Sequence, residues 1–334
     1  MQKIFTLILI CFLSQQIKAQ KNVEGYILNI DDSTAIAAAS VYFDGTSIGV
    51  STNSKGFFSI KVPEHINSPL IISSLGFQVK AIADLSEITK ENPIFLIEKP
   101  EALDAVLLEA DPWTRKKKLA EFRREFFGPT PVASSLRIEN EDILKLRYSP
   151  SQKTLIANAS EPLKVVNRYL GYTITYNLSS FKVTYQKSDS GLIIPYMIYY
   201  EGFGFFKETK TKTKKRYIRR RKKSFEGSLL HFMRALSNQT LAEEGFRIFK
   251  KSSEVRPYEY FELTQKDNLV LVKVLAEKLN ILYNNTEQSG LLASGKFSID
   301  QFGNHDPPQN LVLSGSMGNK RLAYLLPTDF NEND

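Results

Sequence analysis

One cysteine, three histidines and one tryptophan among 334 residues leave little material for thiol or metal chemistry. The cysteine, Cys11, lies inside the apolar run of residues 4–13 (IFTLILICFL), which Lys3 precedes and Ala19 follows. That layout fits a secretory signal over residues 1–19. Ten residues are too few to cross a bilayer, which takes about 20. The bulky Ile10 before Cys11 argues against a lipoprotein signal. Cleavage after Ala19 would leave a chain without cysteine, which excludes disulfides, thiolate metal sites and a cysteine nucleophile together. There is no second long apolar run, so no transmembrane helix is expected after the signal.

The remainder, about 315 residues, is enough for roughly two domains. At 42% hydrophobic and 11% aromatic the full sequence has globular composition. The net charge of +8 is not spread evenly. Residues 207–223 hold eleven Lys/Arg and one acid, Glu208, so the rest of the exported chain is net negative. The basic character is one patch.

Along residues 20–99 the pattern is of short strands and turns. Val23, Gly25 and Ile27 open a strand, and Asp31-Asp32-Ser33 reads as a turn. Ala39–Phe43 ends at Asp44-Gly45, a dipeptide suited to tight hairpins. Phe58, Ile60 and Val62 alternate with Ser59 and Lys61, the mark of a half-buried strand. Apolar Leu70-Ile71-Ile72 and a last strand around 93–97 follow. Frequent turns without helical period argue a β-sandwich.

The stretches Gly25-Tyr26-Ile27, residues 39–60 and Ile72-Ser73-Ser74-Leu75-Gly76-Phe77 resemble the carboxypeptidase-regulatory-like family, a prealbumin-like β-sandwich. Ala37-Ala38 departs from the family pattern, which commonly has proline there. The resemblance implies an accessory module without catalytic residues. Its occurrence on TonB-dependent receptors implies a Gram-negative envelope, hence the periplasm or the outer-membrane surface. Only about 220 residues follow, so a receptor barrel is not expected.

Residues 100–111 read as a linker with one apolar strand, Val106-Leu107-Leu108. Residues 112–330 read as an α+β domain with a largely antiparallel sheet, which makes the chain mainly β overall. Asp111 is expected to cap its first helix, with Pro112 in the first position and Leu119, Phe122 and Phe126 on one face. Strands are expected at 136–138, 143–148, 154–157, 163–166, 172–176 and 181–185, and an apolar run at 191–200. Ser228 can cap a second helix carrying Leu229, Phe232, Met233 and Leu236, with a short helix at 241–244 after it. Further strands are expected at 258–263, 269–274, 279–283, 295–299 and 311–313. Asn167-Arg168-Tyr169-Leu170-Gly171-Tyr172 and residues 227–236 resemble the C-terminal part of other proteins with the same sandwich. That resemblance implies architecture and no chemistry.

A zinc carboxypeptidase needs His-x-x-Glu and a distant histidine. Ser68, Arg234 and Pro308 stand three positions after His65, His231 and His305, so the motif is absent and no metal or other cofactor is expected. Gly45-Thr46-Ser47-Ile48-Gly49 has the form of a nucleophile elbow, yet no helix is expected after it, and a glycine-rich hairpin is favoured. His231 is a weak candidate base with no acid close in sequence, on a helix side opposite the apolar stripe, and a structural or solvated histidine is the favoured reading. Asp32-Ser33-Thr34 resembles an envelope O-glycosylation triplet, with an ordinary turn the simpler reading. Glu139, Glu141 and Asp142 are candidate acids for a hydrolase alternative.

The basic run is the sharpest feature: Lys210, Lys212, Lys214, Lys215, Arg216, Arg219, Arg220, Arg221, Lys222 and Lys223. It suits anionic lipid head groups, lipopolysaccharide phosphates or an acidic partner, and an electrostatic tether to the membrane surface is a further alternative. Tyr217 and Ile218 offer little apolar anchor. Export makes nucleic acid an improbable ligand. The expectation is a non-catalytic envelope protein with a sandwich docking module and a domain that binds an envelope protein or glycan.

Overall fold

A computed structural model describes residues 21–64, 66–99, 109–210 and 213–332. The expected signal, the apolar strand at 106–108, His65 and Lys212 lie outside the described residues. No described helix is long and apolar enough to cross a membrane.

The N-terminal module is a sandwich of seven strands: β1 (Asn22–Asn29), β2 (Ser40–Phe43), β3 (Gly49–Ser51), β4 (Phe57–Lys61), β5 (Leu70–Ser73), β6 (Lys80–Ile82) and β7 (Ile94–Leu96). One sheet has the order β4-β1-β7 and the other β3-β2-β5-β6. Alternation along β1 and β4 sends Val23, Ile27, Phe58 and Ile60 inward, against Val41, Phe43 and Ile72 of the opposite sheet. Asp32-Ser33-Thr34 is a turn closed by its own side chains, Thr34 donating to Asp32 Oδ1 through N (2.9 Å) and Oγ1 (2.7 Å).

The next sheet comprises β8 (Leu136–Ile138), β9 (Leu144–Ser149), β10 (Thr154–Ala159), β11 (Leu163–Asn167), β12 (Tyr172–Lys187) and β13 (Ile193–Glu208). The strands expected at 172–176 and 181–185 are one sixteen-residue strand. The Leu178-Ser179-Ser180 stretch between them is a register shift against β13, not a turn. β13 pairs with β12 along its whole length, so β11 and β10 share the other edge of β12, one at each half. This hairpin is the spine of the C-terminal region.

Helix α1 (Arg115–Phe127) covers the inner face of that sheet. Its start differs from the expected one. Thr114 is the cap, its Oγ1 accepting from Lys117 N, because Asp111 is engaged elsewhere: by Lys118 Nζ (2.5 Å), Tyr148 N (3.0 Å) and Trp113 N (2.9 Å). Phe122 and Phe126 of α1 pack on Phe181, Tyr176 and Tyr200, while Trp113 stacks on Tyr148 at 3.8 Å between centroids.

After the hairpin come α2 (Lys215–Phe225) and α3 (Leu229–Ser237), the latter capped by Ser228 as expected. The strands that follow are β14 (Phe246–Lys250), β15 (Ser253–Val255), β16 (Phe261–Lys266), β17 (Leu269–Val274), β18 (Lys278–Tyr283), β19 (Glu287–Ala293), β20 (Phe297–Asp300), β21 (His305–Asp306) and β22 (Leu311–Ser314). They form two antiparallel sheets, β15-β14-β18-β19-β22 and β16-β17-β20-β21, around a core of their own with Phe232, Phe246 and Phe297. Residues 112–330 thus carry two hydrophobic cores and three sheets, where one sheet was expected. The stretch at 241–244 is a turn, not a helix. After α4 (Gly315–Asn319) the chain returns: Leu322, Ala323 and Leu326 enter the core under α1.

The sandwich abuts the spine. Gly45 N donates to Gly204 O (2.8 Å), Phe206 N to Thr46 O (3.0 Å), and Asn177 Nδ2 to the Tyr42 hydroxyl (2.7 Å). The tail closes the contact, Thr328 N donating to Gly45 O (2.7 Å) and the Ser47 hydroxyl to Asp329. Asp44 sits within it, accepting from Gly204 N (2.8 Å). Burial pushes its carboxyl up to about 6, against the lowering pull of the Gly204 and Gly45 N–H groups. A carboxyl raised by folding favours the fold while protonated, and that stability is lost as pH climbs from the usual carboxylate range through about 6. A difference of about two pH units corresponds to about 3 kcal/mol. Asp44→Asn is therefore expected to unfold at higher denaturant than the wild type at pH 7.5, and to lose that advantage at pH 4.5. A stability difference independent of pH would refute the assignment.

Candidate functional site

The basic run is poorly suited to start a helix. Lys214 occupies the cap position of α2 without a capping side-chain bond, and the first turn has no acid to offset the helix dipole. Packing holds the helix instead. Tyr217, Arg221, Ser224 and Phe225 recur at helical spacing and are buried. Their seat is the turn between β11 and β12. Asn167 builds that turn, its Oδ1 accepting from Tyr169 N (3.0 Å) and Leu170 N (2.9 Å). Gly171 follows with φ +77°, and a Cβ there would stand 2.6 Å from the Tyr217 ring. Glycine thus serves both the backbone conformation and the close approach of α2.

Arg221 is the deepest cation. Its Nη1 and Nη2 donate to Glu208 Oε1 (2.5 Å) and Oε2 (3.0 Å), and its Nε to Leu170 O (2.9 Å). The guanidinium lies 3.8 Å from the centre of the Tyr172 ring. Burial raises the Tyr172 phenol, with Arg221 pulling the other way. Arg220 packs over Tyr169 and donates to its carbonyl (3.3 Å). Arg216 bonds the Tyr217 hydroxyl and lowers that phenol.

The expected set of Lys214, Lys215, Arg216, Arg219, Arg220, Arg221, Lys222 and Lys223 therefore divides. Arg221 is removed from it: it is a buried structural ion pair and unavailable to a ligand. Arg220 is half committed, and so is Arg216, which is exposed but bonded to the Tyr217 hydroxyl. Lys214, Lys215, Arg219, Lys222 and Lys223 are exposed and form no ion pair with any described residue. Ile218 shares their face, 40% exposed, whereas Tyr217 turns inward.

The other candidates are accounted for by structure. His231 is a buried structural histidine, and it has an acid partner that the sequence does not place near it: its Nε2 lies 3.1 Å from Glu244 Oε2, and its Nδ1 accepts from Gly227 N (3.1 Å). With both ring nitrogens engaged and Phe225, Phe246 and Tyr283 around it, the imidazole fastens α3 to the strands behind it. The Gly45–Gly49 stretch is the hairpin joining β2 to β3, with the Ser47 hydroxyl on Asp329 and no helix after it. Glu139 and Glu141 line one cleft, but Glu141 is held by Arg123, and Asp142 is not part of the lining. Among the described residues no three His, Cys, Asp or Glu side chains converge as a metal site would require.

Residues 23–108 match the family model of the CarboxypepD_reg-like domain. The N-terminal module is a CarboxypepD_reg-like domain. The family fold is the prealbumin-like β-sandwich described above, and the match extends beyond the last described strand of the sandwich to residue 108. No curated protein matches the chain. Among solved structures, a chain of the Coh3ScaB–XDoc_M2ScaA complex, a C-terminal interface mutant of a type II cohesin–X-dockerin complex from Acetivibrio cellulolyticus, is 23% identical with a TM-score of 0.21. The similarity covers 27% of this chain and 65% of that one. The residues behind the CarboxypepD_reg-like domain, α2 included, fall outside the family match.

Removing one partner of a buried charge pair leaves the other uncompensated. Arg221→Ala is expected to cost about 3 kcal/mol in chemical denaturation, whereas neighbouring Lys222→Ala should stay within about 0.5 kcal/mol. Equal effects from the two substitutions would contradict the division of the cluster.

Proposed function

We propose that this is an exported, non-catalytic protein of the cell envelope that attaches to an anionic surface through the outward face of α2. The observation that carries the reading is the set of five exposed cations without counter-ions, Lys214, Lys215, Arg219, Lys222 and Lys223, on a helix whose opposite side is anchored by Arg221. Glu208, an acid within reach of the helix, is spent on the buried arginine. The accessory character of a CarboxypepD_reg-like domain fits a binding protein, and the sandwich stiffens the spine from which α2 hangs.

Each cation near an anionic membrane surface contributes about 1 kcal/mol, within a range set by the Debye length of about 10 Å at 0.1 M salt. Phosphate-rich head groups are the simplest surface of this kind in an envelope, and a patch with one exposed isoleucine would lie on them without deep insertion. Nucleic acid is not proposed as the ligand, because export would separate the two.

The test is co-sedimentation with vesicles of phosphatidylglycerol and phosphatidylcholine. The protein is expected to bind vesicles rich in phosphatidylglycerol, to ignore pure phosphatidylcholine, and to release as salt rises from 0.05 to 0.5 M. Lys215→Gln/Arg219→Gln/Lys222→Gln should weaken binding about 100-fold, the equivalent of about 3 kcal/mol. Unchanged binding by this variant, or binding insensitive to salt, would overturn the proposal.

A further inference from the structure

At one end of the sheet, a second feature has no part in the α2 surface. β8 is a terminal strand of the order β8-β11-β12-β10-β9, and among the described residues β11 is its one strand partner. Glu139 N donates to Lys164 O (2.8 Å) and Arg168 N to Ser135 O (3.1 Å), on either side of the Arg137–Val166 pair. Ser135, Arg137 and Glu139 thus turn their backbone groups toward β11, and Leu136 and Ile138 turn theirs away from it. The Leu136 N–H is taken by Ala133 O. The Leu136 carbonyl and both backbone groups of Ile138 remain on an edge that no described strand covers.

That edge forms one wall of a cleft of about 570 Å³, and α1 forms the other with Arg123, Arg124 and Phe127. Four arginines and two acids, Glu139 and Glu141, line the cleft, so its charge is net positive even with Glu139 exposed beside Arg137. Arg123 is matched by Glu141, and Arg124 by Glu121 and Glu125. Arg137 and Arg168, both exposed, line the cleft with guanidinium groups that make no hydrogen bond or ion pair to another described residue. A strand edge with unpaired backbone groups accepts another strand. Two uncommitted guanidinium groups beside it select carboxylates, which they can grip through paired N–H donors.

We propose that the cleft between α1 and β8 binds an extended acidic peptide segment of a partner protein, which adds to the sheet along Leu136–Ile138 and places its carboxylates on Arg137 and Arg168. Backbone pairing supplies the register, and the two arginines supply the preference for acid. Phe127 and Ala133 give the segment an apolar floor for its alternate side chains.

The probe is a blocked, fluorescently labelled octapeptide alternating valine with glutamate, titrated with the full chain at low salt and followed by anisotropy. Two comparison peptides replace every glutamate with lysine, or the two central valines with proline. Both are expected to bind at least tenfold more weakly, as is the glutamate peptide to Arg137→Glu/Arg168→Glu, whose exposed positions leave the core intact. On the wild type, hydrogen exchange should slow at the Ile138 amide when the glutamate peptide is added. Binding of the proline peptide as tight as that of the parent would overturn strand addition, as would an Ile138 amide that exchanges unchanged. Binding lost in Lys215→Gln/Arg219→Gln/Lys222→Gln but kept in Arg137→Glu/Arg168→Glu would place the peptide on α2 and reject this site.

Discussion

A guanidinium enters a protein interior at tolerable cost only when its charge and its donors are matched, and Arg221 meets that condition through Glu208, the Leu170 carbonyl and the face of Tyr172. The pair joins the end of β13, the start of β12 and the middle of α2. It converts a run of like charges, which would otherwise repel and unwind, into a helix with a fixed orientation. Once Arg221 points inward, helical geometry sends Lys215, Arg219 and Lys222 outward together. The outward cationic surface of α2 is therefore a consequence of one buried ion pair.

That pair depends in turn on the long hairpin. β12 and β13 run from the α2 seat, past the sandwich at Gly204 and Phe206, and on toward the tip beyond Ile193. Between these points the hairpin carries Tyr176, Phe181 and Tyr200 against α1. The returning tail ties the same elements a second time: Arg321 bonds Glu125 of α1, Ala323 bonds Phe127 and Asn167, and Thr328 bonds Gly45 of the sandwich. The sandwich, the sheet and the tail share polar contacts around Asp44 that are satisfied jointly, so a change at one is felt by the others.

The sandwich was legible in the sequence because local signals and the fold agree there: Phe58 and Ile60 alternate with polar neighbours, and Asp44-Gly45 sits at a real turn. The C-terminal region was legible in its elements and not in their joining. Leu178-Ser179-Ser180 has the composition of a turn, and only its pairing with Gly202 and Glu201 makes it a bulge within one strand. Asp111 has the look of a cap, but bonds from Lys118 and from the distant Tyr148 claim its carboxylate first. Six basic residues among the eight from Arg216 to Lys223 give no hint that one is buried. The usable signal was that Arg221 falls four residues from both Tyr217 and Phe225, on the aromatic side of the helix. The pairing of His231 with Glu244 was not legible because the turn at 241–244 that brings them together is set by packing in the second core.

The central claim is that a single face of α2 meets the anionic surface. Amine-reactive footprinting read by mass spectrometry, with and without phosphatidylglycerol vesicles, tests it directly. Lys214, Lys215, Lys222 and Lys223 are expected to be shielded together, while Lys182 and Lys187 near the hairpin tip and Lys55 on the sandwich keep their reactivity. Shielding at the hairpin tip, or an even loss of reactivity over all lysines, would contradict it.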